Sequence, residues 1–381
     1  MRSICKAIAK MVAFATCALP MGSLTYADEV VRIGHVAPLT GGIAHLGKDN
    51  ENGATLAVEE INAKGITIGG KKIKLVLDSQ DDAADPKTAT QIAQKLVDEN
   101  VVAVVGHLNS GTTIPASKLY SDAGIVQISP SATNPQYTRQ GFKTPYRLVA
   151  TDEQQGPALA EFAAKKLKIK SVAVVDDSTA YGQGLAMEFE KRAAVLGMRI
   201  VSHDAVNDRA VDFRAVATKI KGENPDAIMY GGMDATGGPF AKQARQLGVS
   251  AKFLAGDGVC SPTLSNLAGE AADSVVCSEA GAPLEAMPEG AVFTAKYTKR
   301  FGHPPLVYSP ETYDAIYIIV DAMKRANSTD PKKILAVMPK TDYRGVTGET
   351  QFDTKGDLKH GVISLYRYVS GKKTLLDSVS M

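Results

Sequence analysis

Gly42, Gly47 and Lys48 in "GGIAHLGKDN" fall at the spacing of a phosphate-binding loop, between a strand-like run, "VVRIGHVAP", and an amphipathic run, "NGATLAVEEINAKG". That chemistry needs a hydroxyl on magnesium directly after the lysine. Asp49 stands there instead, a carboxylate where phosphate charge would collect, which argues against a nucleotide enzyme. "YGQGLAMEFE" fails as a dinucleotide fingerprint because Met187 occupies the third glycine position, so Gly182 and Gly184 more simply open a helix. Ser110 in "GHLNSG" lacks the frame of a hydrolase elbow, since His107 and Asn109 occupy the wrong positions. A triad assembled from His35, His203 or His303 stays open as an alternative, that of a secreted hydrolase.

The stretch "VVAVVGHLNSGTTIPASKLYSDAG" reads differently: a buried strand ending at Gly106, a loop of small polar residues, and a helix from near Thr112. The carboxyl end of a parallel strand facing a helix N-terminus attracts anions, because free N–H groups and the helix dipole both point there. Ser110 either caps that helix or adds its hydroxyl to a ligand. The next strand ends "ISPSATNP", where Ser131 and Thr133 supply a carbonyl and a hydroxyl toward the same crevice. Two adjacent loops of this kind favour a small-molecule ligand over simple capping.

Positioning these loops requires an α/β framework. Short β-branched runs ("KIKLVLDS", "VVAVVG", "GIVQIS", "SVAVVDD", "RIVSHDAV", "DAIMYGG", "KFLAGDG", "DSVVCS") alternate with helical patterns near 48–64, 86–99, 112–123, 155–167, 182–196, 211–221 and 235–247. "ITIGGKKI" predicts a hairpin turning at Gly69 and Gly70. Three further helices are expected near 287–301, 308–326 and 331–338, then two strands joined by a Gly-Asp turn in "TGETQFDTKGDLKHGVISLYRY". So many units imply two α/β domains, the first ending near "TPYRLVATDEQQGP".

Arg2, Lys6 and Lys10 precede an apolar run too short to span a bilayer and a small-residue "TYA", the pattern of a secretory signal peptide cut near Ala27. Cys17 as a lipoprotein acceptor fits less well beside Phe14 and Thr16. Cleavage takes three of the 43 basic residues and none of the 41 acidic ones, leaving a nearly neutral chain without the basic face that nucleic acid requires. Cys260 and Cys277 then remain and are expected to form a disulfide in an oxidising compartment. No cofactor is expected, and scattered histidines without Cys-x-x-Cys spacing give no metal site.

"AHLGKDNENGATLAVEEINAKG", "GHLNSGTTIPAS", "SPSATNP", "DDSTAYGQGLA", "GGMDATGGPFAKQARQLG", "GDGV" and "FDTKGDLK", in this order, resemble the leucine/isoleucine/valine-binding proteins of ABC transporters. The resemblance implies a periplasmic, non-enzymatic solute receptor of two Rossmann-like α/β lobes joined by three crossovers. The lobes would be residues 28–150 with 281–345, and 151–280 with 346–381. It further implies that an apolar amino acid is captured by lobe closure and passed to a membrane permease and its ATPase, the receptor acting as a monomer. A sensor subunit signalling to a membrane receptor is the alternative. By resemblance, Ser110 and Thr133 hold the α-carboxylate, and the Ser131 carbonyl, Thr133 hydroxyl and Asp257 hold the α-ammonium. Tyr181 reaches the ligand from the second lobe, Tyr313 walls the side-chain pocket, and Asn109 and Gly258 complete the set. Leu46 and Met233 stand where relatives carry tyrosines and Asp257 where they carry glutamate, which implies a more apolar, adaptable pocket and leaves the preferred side chain open between leucine-like residues and larger apolar ones.

Overall fold

The computed structural model describes residues 28–380; the expected signal peptide lies outside them. Fifteen strands are described: β1 (Glu29–Ala37), β2 (Ile66–Ile68), β3 (Lys71–Asp81), β4 (Ala103–Gly106), β5 (Val126–Ser129), β6 (Pro145–Arg147), β7 (Ser171–Asp176), β8 (Arg199–Ala205), β9 (Ala227–Gly231), β10 (Lys252–Ala255), β11 (Val275–Glu279), β12 (Asp342–Gly345), β13 (Gly348–Gln351), β14 (Val362–Val369) and β15 (Lys372–Ser380). They form one six-stranded sheet ordered β2-β3-β1-β4-β5-β6, one seven-stranded sheet ordered β15-β14-β11-β10-β9-β7-β8, and the β12-β13 hairpin.

All pairings in both large sheets are parallel except β2 with β3 in the first and β14 with β11 and β15 in the second. Parallel strands must be covered on both faces, which is why β4 and the middle of β7 read as apolar runs and both strands are buried at every residue. The expected helices form between the strands with boundaries shifted by a few residues. Asp85 caps the helix Pro86–Asp98 through Thr88, and Thr179 caps Ala180–Val195 through Gly182.

In each sheet the strand order reverses once beside the first strand of the set. β1 lies between β3 and β4, and β7 lies between β8 and β9. Loops leaving the carboxyl ends on either side of such a reversal diverge and open a crevice. The loops after β4 and β5 carry Ser110, Ser131 and Thr133, and those after β7, β9 and β10 carry Tyr181, Met233 and Asp257. The fold therefore turns two crevices toward each other.

The glycines of both failed nucleotide motifs have a packing reason. A Cβ on Gly47 would run into the Pro38 carbonyl, and one on Gly182 would run into Asp177 and the Gly231 carbonyl. They let the helices Ala44–Lys64 and Ala180–Val195 approach their strands closely.

The chain passes between the lobes after β6, after β11 and before β14. The last passage departs from the sequence-based expectation. The β12-β13 hairpin spans the expected boundary at 345/346, and Val346 and Phe352 are buried in the first lobe's core, Phe352 with its ring 4.8 Å from Tyr146. The expected pairing of the strands in "TGETQFDTKGDLKHGVISLYRY" does not form either. β13 pairs with β12 and β14 with β11 and β15, leaving one isolated bridge, Phe352–Leu358, between them. Burial of Phe352 holds one half in the first lobe while the apolar face of β14 completes the second sheet. Cys260 and Cys277 are joined in a disulfide with Cα atoms 5.5 Å apart.

Candidate ligand-binding site

Ser110 begins the helix Ser110–Ala123, with Asn109 as its N-cap residue in extended conformation. The Asn109 side chain makes no capping bond, and its Oδ1 is buried without a hydrogen-bond partner among the described residues. The Ser110 hydroxyl does not cap either. It accepts from the Asn134 N–H at 3.2 Å, which ties the helix start to the loop after β5. In that loop the Ser131 hydroxyl donates to the Leu108 carbonyl at 2.9 Å, while the buried Thr133 hydroxyl is unpartnered among the described residues. The first N–H groups of a helix have no intrahelical acceptor, so a helix start, a free hydroxyl and a free amide oxygen meet in one place.

Across the gap stands Asp257, 2% exposed. Its Oδ1 accepts from Tyr181 at 2.9 Å and its Oδ2 from Tyr308 at 2.7 Å, while the Gly258 N–H donates to the Tyr181 hydroxyl at 3.0 Å. Burial pushes the Asp257 carboxyl up, and the hydroxyls of Tyr308 and Tyr181 oppose that shift. A second acid, Asp152, starts the helix Asp152–Lys165; it is wholly buried and neither carboxyl oxygen has a partner among the described residues. Burial pushes its pKa up to about 8, and the nearby charge of Asp257 adds to the rise. Two buried acids, neither in an ion pair, create a strong preference for a positive charge at this end.

Leu108, Asn109, Ser110, Ser131, Tyr181, Met233, Asp257 and Tyr308 enclose a cavity of about 10 Å³. That is room for roughly one water. The lobes are in contact around it: Asn134 Nδ2 donates to the Ala180 carbonyl at 2.6 Å, and His45 Nε2 meets Asp234 Oδ2 at 2.7 Å. This is the closed arrangement, and a solute enters only when the lobes separate.

Residues 30–373 match the family model described as periplasmic binding protein. The chain belongs to the periplasmic binding protein family. It is 35% identical over 366 residues to Leu/Ile/Val-binding protein homolog 1 of Brucella abortus, covering 96% of this chain and 95% of that protein. Its fold is similar to the crystal structure of the leucine-binding protein LivK of Thermotoga maritima, with a TM-score of 0.85 at 28% identity over 92% of this chain and 98% of that one. The branched-chain amino acid substrate-binding protein LivJ of Streptococcus pneumoniae, solved with isoleucine, gives 0.83 at 27% identity over 93% and 100%.

Against the sequence-based expectations for this binding protein, the structure brings together Asn109, Ser110, Ser131, Tyr181, Met233, Asp257 and Gly258, with the Thr133 hydroxyl beside Asp152. Leu46 lies one layer back, 1% exposed, in an apolar cluster with Leu108 and Tyr308 on which Met233 packs. Tyr313 is not at the site. Its ring lies 5.3 Å from Phe293 and 4.8 Å from Tyr317 in the first lobe's core, and its hydroxyl donates to Glu60. In its place Tyr308, the residue just before the same helix, lines the cleft beside Tyr181.

What places Tyr308 is Asp49, the residue that spoiled the phosphate loop. Its buried carboxylate accepts the N–H groups of Leu306, Val307, Tyr308 and Ser309 at 2.9–3.2 Å and the Tyr297 hydroxyl at 3.0 Å. It fills the anion-binding start of the helix Ser309–Ala326 from within. Lys48 is exposed and paired with Glu51. Among the described residues no cluster of side chains is suited to hold a metal ion, and no helix is long and apolar enough to cross a membrane.

Proposed function

We propose that this chain captures an apolar α-amino acid between its lobes and delivers it to a membrane permease driven by an ATPase. The observation that carries this reading is the pairing of opposite preferences across a single cleft. The start of the helix Ser110–Ala123, with the free hydroxyl of Thr133, suits a carboxylate, while Asp257 and Asp152 suit an ammonium. A zwitterion leaves water only if both charges gain partners, and here each lobe supplies one set. Binding therefore favours the closed state, the form a permease distinguishes from the open one.

The side-chain end is apolar, from Leu108, Met233 and the cluster containing Leu46. This supports leucine-like residues, as does the isoleucine in the LivJ complex. The protein works as a monomer in the periplasm after loss of residues 1–27. We take the lobes as residues 28–150 with 281–358, and 151–280 with 362–380. Thermal-shift measurements over the common amino acids, followed by calorimetry on those that stabilise, test the reading. Leucine, isoleucine or valine should raise the melting temperature, and N-acetyl-leucine, which lacks the ammonium, should not. Equal stabilisation by the acetylated compound would remove the acid side from the site.

A further inference from the structure

Tyr308 lines two cavities and is the one residue their linings share. On one side is the polar cavity with Ser110, Ser131 and Asp257. On the other is a chamber of about 1100 Å³ between the helix Gly290–Phe301, the segment 304–311 and the β14-β15 edge of the second sheet. Its wall is largely apolar, with Leu284, Met287, Leu306, Val307 and Tyr366. The volume is that of a site for a molecule considerably larger than leucine. One polar group belongs to this wall without being used there: Glu311 is 4% exposed and its Oε2 has no partner among the described residues.

The two parts of Tyr308 are held very differently. Its backbone N–H is fixed by Asp49 together with those of its neighbours, and its carbonyl accepts from the Thr312 hydroxyl at 2.8 Å. The side chain is retained by apolar packing with Leu46 and Leu108 and by one hydrogen bond, to Asp257 Oδ2. That oxygen is where a ligand ammonium has to pair. The phenol thus occupies the cation's position in the closed protein, as a neutral stand-in that a charged donor outcompetes.

We propose that Tyr308 is a displaceable gate. A ligand ammonium takes Asp257 Oδ2 from the phenol, the side chain turns about its χ1 bond toward the chamber, and the two cavities become one pocket. The pocket then accepts α-amino acids with side chains well beyond leucine in length, their charged end at Ser110 and Asp257 and their apolar tail in the chamber. This rests on the amino-acid reading above and extends it to a substrate class.

The test is calorimetry with L-leucine and L-2-aminooctanoic acid on the native protein, Ala291→Phe and Tyr308→Phe. Ala291 lines the chamber from an exposed helix position and is remote from the polar cleft, so phenylalanine there narrows the chamber alone. The native protein is expected to bind both compounds. Ala291→Phe should weaken the long one by at least about tenfold, as expected when several methylenes lose their place, and leave leucine unchanged; retained leucine binding also shows that the variant is folded. Tyr308→Phe, which frees Asp257 Oδ2, should tighten both. A native protein that binds leucine but not the longer compound overturns the gate and leaves the amino-acid reading intact. So does an Ala291→Phe variant that treats the two alike. Binding of neither compound by the native protein overturns the gate and the amino-acid reading together.

Discussion

Replacing Asp257 with asparagine separates a ligand-binding role from a structural one, because the two roles predict opposite effects. Asp257 is 2% exposed and receives two tyrosine hydroxyls, from Tyr181 at 2.9 Å and Tyr308 at 2.7 Å. Asparagine keeps its shape. Its Oδ1 accepts from one phenol and its Nδ2 donates to the other, since a hydroxyl serves in either sense. Only the charge is lost. For an ammonium withdrawn from water, that loss is a charge-assisted hydrogen bond of about 1.5–3 kcal/mol, or roughly 10- to 150-fold in Kd.

The ligand-free protein should respond in the other direction. Burial pushes the Asp257 carboxyl up, so ionising it in the fold is unfavourable. An acid with a raised pKa in the folded state contributes stability that is present at low pH and lost as pH rises toward its folded value. An asparagine side chain does not titrate, so Asp257→Asn should melt higher than the native protein near pH 8, with the difference shrinking toward pH 4. Calorimetry with leucine and melting curves at several pH values measure both effects. An affinity within about threefold of native, or a melting temperature that drops along with the affinity, refutes the placement of the ammonium on Asp257.

Ser110→Ala should weaken leucine binding by at least about 1.5 kcal/mol in calorimetry with little effect on the melting temperature, because its hydroxyl makes one internal contact, with the Asn134 N–H. Asp152, pushed up to about 8 by burial, is protonated in the fold at neutral pH. Native stability should therefore fall as pH rises from about 4 to 8, and Asp152→Asn should flatten that slope in melts across this window. Pairing with a ligand ammonium forces Asp152 to ionise, so calorimetry at pH 7 in buffers of different ionisation enthalpy should show proton release on binding, absent in the variant. Cys260→Ser opens a link with a sequence separation of 17 and should cost about 3 kcal/mol in urea unfolding while leaving Kd unchanged.

The parallel sheets were legible because a buried strand leaves an unmistakable signature: "VVAVVG" and the apolar stretch of "SVAVVDD" have nowhere polar to face. The loops carrying Ser110 and Thr133 were legible for the same reason, since each follows such a strand. Tyr308 was not. It and Tyr313 sit in one stretch of sequence, and which of them reaches the cleft depends on where the helix Ser309–Ala326 begins. That start is fixed by the carboxylate of Asp49, more than 250 residues earlier. Asp152 was visible as a helix start, and no local pattern distinguishes a solvated first-turn acid from one buried under a neighbouring lobe. Phe352 is a case of the same kind. Its local pattern suits an extended segment, and a distant ring, Tyr146, decides which lobe keeps it.

Arg147 explains how the site keeps its shape while the lobes move. Its guanidinium is fully buried and bonds Asp357 Oδ1 at 2.9 Å, the Ala132 and Asn134 carbonyls at 2.7 and 3.0 Å, and the Thr138 hydroxyl at 3.0 Å. A buried guanidinium is tolerated only when its donors are satisfied in this way, and the satisfied group is then stiff. It binds the two carbonyls that flank Thr133 to the turn just before the third passage, which Arg139 also holds through Asp357 at 3.1 Å. The ligand loop and the hinge turn of the first lobe therefore move as one body. Among the polar contacts across the cleft that opening must break are those of His45 with Asp234, Asn134 with the Ala180 carbonyl, and Tyr308 with Asp257. Two of these lie at the rim and are regained on every closure. The third lies at the centre, and on the proposed reading a ligand ammonium would replace the phenol there, concentrating the difference between empty and loaded closed states on one carboxylate oxygen.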